Sequence, residues 1–299
     1  MLPTSGFCIS LGLLAVLLSL AGTVQAQEAS MATEPLALAR AALGALPGQA
    51  VAGVWREGRA SVAGVRRAPG AQEALPLPEE EVSGKTATLY EIGSITKVFT
   101  GVLLAQAVEA GELSLDDTLG RLLEGKAQIE SPHVAAVTLR QLVTHTACLP
   151  RQPADFRQGS KPDDPYRDYN RARLWQAVAA LQLPAAPPCE ALYSNFGMAL
   201  VAEILSERAG KPWAQLARER ITVPLRMHDT LQVLGDKAQR LAPAFAGDRS
   251  TPPWEMQAFA GVGALRATPH DLLVFGRAIA AGGSGPLGAA AARLVTPLA

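Results

Sequence analysis

The sequence predicts a mixed α/β (α+β) domain, in which an antiparallel pair of strands comes early and a large helical region follows. Residues 50–55 and 60–66 are two short β-type runs, and Gly58 between them favours a hairpin. From Ser94 onward, apolar residues recur mainly at intervals of three and four, which is typical of amphipathic helices. With 299 residues, the chain is long enough to bury a sizeable core.

The first residues predict a secretory signal peptide at positions 1–26. Residues 9–20 form a short apolar run, and residues 21–26 supply the small side chains that suit cleavage after Ala26. The run is too short for a typical transmembrane helix. No Lys or Arg precedes it, which is unusual for a signal and leaves an uncleaved anchor as the alternative. We therefore expect an exported mature domain at residues 27–299, with no stable membrane insertion after signal removal.

The charge balance and the histidine positions exclude several classes of function. Lys and Arg together number 27, as do Asp and Glu, so the net charge is zero and no nucleic-acid partner is expected. The four histidines, at positions 133, 145, 228 and 270, do not have metal-ligand spacing, and no HExxH or CxxC motif occurs. We therefore expect neither a metal nor a cofactor. The sequence also lacks the GxSxG motif of α/β-hydrolases.

The elements before and after the hairpin follow from local patterns. Residues 34–46 form a predicted helix, and residues 68–85 form a predicted surface loop. A helix begins at Ser94 and ends near Gly111. The apolar residues that define its face are Ile95, Val98, Val102, Ala105 and Val108.

The remaining chain is predicted to be helical, with one long loop. Thr138 and Gln141 make a capping box, and Thr268 caps the last clear helix. Residues 151–168 are polar and contain prolines, so they predict a loop of the kind that often borders a site. The other helical patterns cover residues 171–181, 196–209 and 212–221, and no further set of strands is predicted.

Ser94 and Lys97 are candidate catalytic residues because of their position at the start of a helix. About one helical turn separates them, so the Lys97 amine can reach the Ser94 hydroxyl, which is a weak nucleophile without a neighbouring base. An apolar helix surface removes water from a lysine, which lowers its pKa and allows it to accept a proton. An SxxK spacing is common by chance, however, and the alternative is a helix cap followed by a solvated lysine.

Tyr193, Ser194 and Asn195 precede another apolar helix pattern. A tyrosine hydroxyl near a lysine can share the role of base, and an asparagine amide can bind a substrate carbonyl. Taken alone, Ser194 or Asn195 is equally typical of an ordinary helix cap.

Two of the three cysteines remain after signal removal, because Cys8 lies within the signal. An even number outside the cytosol makes a disulfide between Cys148 and Cys189 worth proposing. Two buried thiols explain the same pattern equally well.

Five segments occur in an order that resembles the serine β-lactamase and penicillin-binding-protein family, on its class C side. They are YEIGSITKVFTGVLLAQAVEAGELSLDDTL, LRQLVTHTACLPRQ, LYSNFGMALVAEIL, ITVPLRMHDT and GVGALRATPHDLLVF. That side of the family also holds D-alanyl-D-alanine carboxypeptidases, endopeptidases and esterases. The resemblance covers the chain from about residue 36 to its end. It implies a serine β-lactamase/penicillin-binding-protein-like fold, an antiparallel sheet flanked by helices together with a large helical region.

The resemblance also implies roles for five residues. Ser94 would be the nucleophile that forms the acyl-enzyme, and Lys97 its activating partner. Tyr193 would be the general base for acylation and deacylation. Asn195 would orient both Lys97 and the substrate amide. Gln152, which follows CLPR, falls where the family often places a side chain against the substrate acyl group.

Several positions depart from the family pattern. The turn that usually reads HTSGLP reads HTACLP here, and Cys189 stands where the family has a glycine upstream of its Tyr-x-Asn motif. Because both segments line the same cleft in family members, the resemblance favours a Cys148–Cys189 disulfide. His145 in this turn is expected to be structural rather than a proton carrier. Arg226, where glycine is common, is interpreted as a surface variation.

The third family motif, Lys or His followed by Thr/Ser-Gly, does not occur after Asn195. In the family, the strand with this motif supplies an oxyanion-hole amide and binds the substrate carboxylate. We therefore expect that the C-terminal strands are missing and that the sheet has an exposed edge. A chain of this kind should be poorly stable and weakly active.

The predicted function is that of an exported bacterial serine hydrolase, periplasmic or secreted, acting on a small-molecule or peptidoglycan-peptide substrate. It would form an acyl-enzyme at Ser94 with D-alanyl peptides or β-lactams and hydrolyse it. One alternative is an esterase of the same family that acts on small esters. The other is a non-catalytic or weakly acylating binder of penicillin or peptidoglycan.

Overall fold

The computed structural model describes residues 34–84, 86–183 and 185–298, and the predicted signal peptide lies outside these ranges. The chain divides into two compact units. The first comprises the residues up to 93 together with 233–253 and 266–276. The second comprises residues 94–232, 254–265 and 277–299.

The secondary structure is mixed, as predicted. The strands are β1 (Gly48–Arg56), β2 (Arg59–Arg67), β3 (Leu75–Pro76), β4 (Tyr90–Glu91), β5 (Ala244–Ala246), β6 (Arg249–Thr251) and β7 (Arg266–Ala267). The helices are α1 (Pro35–Leu43), α2 (Glu79–Val82), α3 (Thr96–Glu109), α4 (Leu119–Leu122), α5 (Pro132–Ala135), α6 (Leu139–Val143), α7 (Arg171–Ala179), α8 (Asn195–Ala209), α9 (Trp213–Ala217), α10 (Ala260–Gly263), α11 (Pro269–Ala280) and α12 (Ala289–Leu294).

The predicted hairpin is confirmed as the β1–β2 pair. The two strands are antiparallel, in a register that ends at the Arg56–Arg59 pair. Glu57 and Gly58 connect them with φ values of 49° and 82°, the left-handed conformation that a two-residue type I′ turn requires. β3 pairs with the other edge of β2, which completes a three-stranded antiparallel sheet in the order β1-β2-β3. Within residues 34–84, 86–183 and 185–298, β2 is the one strand that pairs with β1.

Side chains on both faces of β1 are buried, because successive residues of a strand point in opposite directions. Ala50 and Ala52 pack in a cluster with Ala39 and Leu43 of α1. Val51, between them, packs in a second cluster with Leu77 and Val82.

Two predictions about the first unit are wrong. The predicted loop at residues 68–85 contains β3 and α2, although residue 85 itself lies outside the described ranges. Strands also occur after the helical region, where none was predicted: β5 pairs with β6, and β7 pairs with β4. These strands are two or three residues long, which is too short to produce a recognisable alternation of apolar and polar residues.

The second unit is predominantly helical, but the predicted face of α3 is only partly correct. Val102 is buried, whereas Val98 is 40% exposed. Phe99 and Leu103, outside the predicted face, are buried, and so is Lys97. Burial on several sides of α3 explains why a single apolar stripe described it poorly.

Helix ends follow the predicted signals more closely. The Thr138–Gln141 capping box at α6 is confirmed by both of its hydrogen bonds. Thr268 Oγ1 accepts a hydrogen bond from the Asp271 N–H, as expected of a cap. The helix predicted at residues 212–221 is α9 followed by a π-helical turn at Arg218–Thr222. No helix among the described residues has the length and apolar character that crossing a membrane requires.

Candidate active site

Ser94 lies in a short 3₁₀ turn, Gly93–Ile95, directly before α3. This turn places Ser94 at the surface, while Lys97 in the first turn of α3 faces the interior. The two side chains meet, with 2.9 Å between Lys97 Nζ and Ser94 Oγ. The local SxxK spacing therefore produces direct contact between the candidate nucleophile and the candidate base.

Lys97 is buried with few polar partners, and this changes its acidity. The side chain is 9% exposed, and its ammonium also donates a hydrogen bond to the Val262 carbonyl, at 3.1 Å. Burial is the main cause that lowers the pKa of Lys97 from 10.5 to about 7, and the positive charge of Arg151 adds to it. A large fraction of Lys97 is thus neutral near pH 7 and able to accept a proton, in the direction that the sequence predicted.

α10 positions the Val262 carbonyl beside Lys97 through close packing against its neighbours. Thr100 Oγ1 donates a hydrogen bond to the Gly261 carbonyl at 2.6 Å, and the Leu265 N–H donates to Thr96 Oγ1 at 3.3 Å. A Cβ atom at Gly261 would lie 2.4 Å from the Cβ of Ala202, so only glycine allows this approach. Neither the contact nor its residues were predicted from the sequence.

Tyr193 approaches Ser94 from a distant part of the chain. Its hydroxyl donates a hydrogen bond to Ser94 Oγ at 2.8 Å. The Lys97 Nζ atom lies 4.8 Å from the centre of the Tyr193 ring, within the range of a cation–π contact. Ser94 Oγ is therefore contacted by both groups that the sequence analysis proposed as proton carriers.

Tyr193 is held in place because its segment, CEALYSN, is joined to the segment HTACLPRQ by a disulfide and by backbone hydrogen bonds. A disulfide connects Cys148 with Cys189. The Cys189 N–H donates to the Thr146 carbonyl at 2.8 Å, and the Leu192 N–H donates to the His145 carbonyl at 2.9 Å. Cys148 adopts a φ of 59°, a left-handed conformation that glycine adopts at lower cost, and Arg226 likewise has a φ of 57°.

Ser194 caps α8 and adds further bonds between the same segments. Its hydroxyl accepts a hydrogen bond from the Gly197 N–H and donates one to the Pro150 carbonyl. Its N–H donates to Nδ1 of His145 at 3.2 Å. The cap interpretation is therefore correct for Ser194, which leaves its two neighbours free for other roles.

His145 supports Tyr193 and stays neutral. The two rings lie 4.8 Å apart between centres. Burial, and secondly the charge of Lys97, lower the pKa of His145 below its ordinary value. Since Nδ1 accepts the Ser194 N–H, the structure assigns the ring a positioning contact, in line with the structural role expected from the sequence.

Asn195 and Gln152 come together around a residue that the sequence analysis missed, Tyr166. The Gln152 Nε2 atom donates to the Tyr166 hydroxyl at 2.7 Å, and the Asn195 Nδ2 atom donates to it at 3.5 Å. Burial raises the pKa of Tyr166, so the hydroxyl stays protonated. The amide oxygens of Gln152 and Asn195 are buried without a hydrogen-bond partner in the described structure.

The expected contact between Asn195 and Lys97 is absent among the described residues. Asn195 Oδ1 has no partner, whereas Lys97 donates to Ser94 Oγ and to the Val262 carbonyl. The Asn195 amide instead donates through Nδ2 to the Tyr166 hydroxyl, and Lys97 has the Val262 carbonyl as its second acceptor.

Arg151 is the second residue that the sequence analysis missed. Its guanidinium carbon lies 5.0 Å from the centre of the Tyr193 ring. The only signal in the sequence was its place directly before Gln152 in the polar loop.

Among the described residues, no cluster of His, Cys, Asp and Glu side chains could hold a metal ion.

Comparisons with known proteins place these residues in a family context. The sequence profile of the family described as Beta-lactamase matches residues 38–298. The chain is 31% identical, over 66% of its length, to the D-alanyl-D-alanine-carboxypeptidase/endopeptidase AmpH of Escherichia coli K12, of which it covers 50%. It is 28% identical, over 72% of its length, to penicillin-binding protein 4 of Amycolatopsis lactamdurans, of which it covers 58%. The chain thus spans about half the length of the curated relatives it matches.

Solved structures agree with this relationship. A class C β-lactamase from Rhodobacter sphaeroides superposes with a TM-score of 0.64 at 25% identity, covering 83% of this chain and 65% of that one. A β-lactamase/D-alanine carboxypeptidase from Yersinia pestis gives a TM-score of 0.61 at 25% identity, covering 79% of this chain and 63% of that one. The predicted fold class, the serine β-lactamase/penicillin-binding-protein-like fold, is therefore confirmed.

Proposed function

Because the chain belongs to the β-lactamase family, we propose that it is an exported serine hydrolase that forms an acyl-enzyme at Ser94. Its substrates would be D-alanyl peptides or β-lactams, and water would release the acyl group. The observation that carries the proposal is the position of Ser94 Oγ, 2.9 Å from Lys97 Nζ and 2.8 Å from the Tyr193 hydroxyl.

The proposed chemistry follows from which protons these three groups can donate and accept. A neutral amine has one lone pair and two N–H bonds, so Lys97 can donate to the Val262 carbonyl and still accept the Ser94 proton. The serine oxygen attacks the substrate carbonyl as that proton leaves. The Tyr193 hydroxyl, on the other side of Ser94 Oγ, supplies a proton to the leaving nitrogen and is reprotonated through Lys97. In the second half-reaction the same groups take a proton from the attacking water and return it to Ser94 Oγ as the bond between this oxygen and the acyl carbon breaks.

Asn195 and Gln152 support substrate binding in this proposal. A buried amide oxygen without a partner is unfavourable by about 1–3 kcal/mol, and a substrate N–H group would remove that cost. Tyr166 holds both amide nitrogens, so the two oxygens are oriented before the substrate arrives. An acylamino substrate, which has such an N–H group, fits this arrangement better than a simple ester.

The Cys148–Cys189 disulfide supports export, because disulfides persist mainly in oxidising compartments. The predicted cleavage after Ala26 belongs to this part of the proposal. Mass spectrometry of the protein recovered from the periplasm or medium should give an N-terminus at residue 27. An N-terminus at residue 1 in that fraction would contradict cleavage.

A labelling experiment tests acylation directly. A fluorescent penicillin should label the wild-type chain covalently and leave Ser94→Ala unlabelled. Ser160→Ala is a matched control, since Ser160 bonds only within its own loop, to the Arg157 carbonyl. Equal labelling of wild type and Ser94→Ala, or no labelling of either, would refute acylation at Ser94. Release of product from a chromogenic cephalosporin or a D-alanyl-D-alanine peptide would then separate a hydrolase from a binder that stays labelled.

A further inference from the structure

Arg151 lies at the candidate active site although no catalytic step requires it. Its guanidinium rests near the ring of Tyr193, whose hydroxyl bonds to Ser94. The residue itself is exposed to solvent. A ligand acylating Ser94 would therefore pass close to a solvent-accessible positive charge.

The backbone of Arg151 is held firmly at this place. Its carbonyl oxygen accepts hydrogen bonds from the N–H groups of Asn195 at 2.9 Å and of Phe196 at 3.2 Å. Both donors belong to the first turn of α8, the helix that begins two residues after Tyr193. The side chain thus starts from a fixed point of the backbone and contacts Tyr193, which bonds to the nucleophile.

Three arginines that follow in sequence have carboxylate partners, whereas Arg151 and Arg157 have none among the described residues. Arg167 pairs with Asp164, Arg171 with Glu203 and Arg173 with Asp155. Across residues 34–84, 86–183 and 185–298, no Asp or Glu forms an ion pair with Arg151. Its charge acts instead on the site, because it lowers the pKa of Lys97 and opposes the rise in the pKa of Tyr166. An unpaired guanidinium beside a binding cleft is suited to an anionic ligand, above all a carboxylate, whose two oxygens match its geometry.

We propose that Arg151 binds the carboxylate of the substrate and makes the site selective for acyl compounds that carry one. The inference rests on the proposed acylation at Ser94 and adds to it a residue that recognises the substrate's carboxylate. Both candidate sources, a peptide with a free C-terminal carboxylate and a β-lactam acid, present this group.

Equilibrium binding tests the inference without depending on turnover. In a Ser94→Ala background, dissociation constants are measured by ligand-observed NMR for two matched pairs of ligands. The first pair is a D-alanyl-D-alanine peptide and its C-terminal amide. The second is benzylpenicillin and its methyl ester. Each pair is titrated into proteins with Arg151, Arg151→Gln and Arg151→Lys.

With Arg151 present, the acid of at least one pair should bind about 10-fold more tightly than its neutral counterpart, as expected of a partly solvated charge-assisted contact. Arg151→Gln should abolish this preference and leave the affinity for the neutral ligand within about 2-fold. Arg151→Lys should keep part of the preference, since it retains charge without the bidentate geometry. The pair that shows the effect identifies the source of the carboxylate.

Arg157→Gln is the matched control, because Arg157 is an exposed arginine of the same loop and gives the same change in charge. An equal preference for the acid in Arg151→Gln and in Arg151 proteins would overturn the inference, as would the same loss in Arg157→Gln. Absence of any acid preference with Arg151 present would overturn it as well. Penicillin labelling of the Ser94-containing chain is read separately, so a failure of the acylation proposal is distinguished from a failure of carboxylate binding by Arg151.

Discussion

Replacing Lys97 by methionine should increase stability near neutral pH while removing the base. The side chain is buried, and its pKa falls from 10.5 to about 7, so folding expels a proton that the unfolded chain keeps between these two values. A difference of this size corresponds to a destabilisation of about 4 kcal/mol at pH 7. Methionine fills a similar volume without a charge, but it leaves the Val262 carbonyl unbonded, which costs about 2 kcal/mol. The net expectation is a gain of about 2 kcal/mol at pH 7 for Lys97→Met.

The sign of the pH dependence makes the test specific. Between pH 7 and 10.5 the unfolded chain binds more protons than the folded one, so the wild type gains stability as pH rises. Lys97→Met lacks this pH-dependent gain in stability. The excess of its free energy of unfolding over that of the wild type should therefore shrink by about 2 kcal/mol between pH 7 and pH 9. The packing of methionine and the unbonded carbonyl contribute equally at both pH values, and His145, with its lowered pKa, is largely neutral throughout.

Urea unfolding at pH 7, 8 and 9 measures these free energies directly. Lys161→Met, at an exposed lysine of the 151–168 loop, serves as the control and should show no such convergence with the wild type. If the stability difference between Lys97→Met and wild type stays constant or grows with pH, burial does not hold Lys97 neutral, and the reasoning about the base is refuted.

Three further outcomes are expected. The rate of labelling by a fluorescent penicillin should rise with pH to a plateau above about 7, since neutral Lys97 is the reactive form; a rate that falls from pH 6 to pH 8 contradicts this. Replacing Cys148 and Cys189 by alanine should lower the free energy of unfolding by up to about 4 kcal/mol, because the disulfide closes a separation of 41 residues; an unchanged melting temperature speaks against that contribution. Gly261→Ala should cost about 1–3 kcal/mol through overpacking. Gly283→Ala is its control, because the nearest atom there is 3.7 Å from the new Cβ, and equal effects in urea unfolding would refute the packing argument.

The sequence alone was sufficient wherever the relevant interactions are local. The hairpin turn at Glu57 and Gly58, the Thr138 capping box and the contact between Ser94 and Lys97 all join residues within a few positions of one another. Backbone geometry determines such contacts, so the spacing of residue types predicts them. The very short strands are the exception, because two or three residues do not produce a periodic pattern.

Only the tertiary structure decided which distant groups surround Ser94. Tyr193 lies 99 positions away along the chain, and Val262 lies 165 positions from the Lys97 that it contacts. The resemblance to a family pointed to Tyr193, but neither it nor any local pattern pointed to the Val262 carbonyl, the Tyr166 hydroxyl or the Arg151 guanidinium. The sequence indicated only that the pKa of Lys97 would fall; how far it falls depends on the assembled packing around the side chain and not on its sequence neighbours.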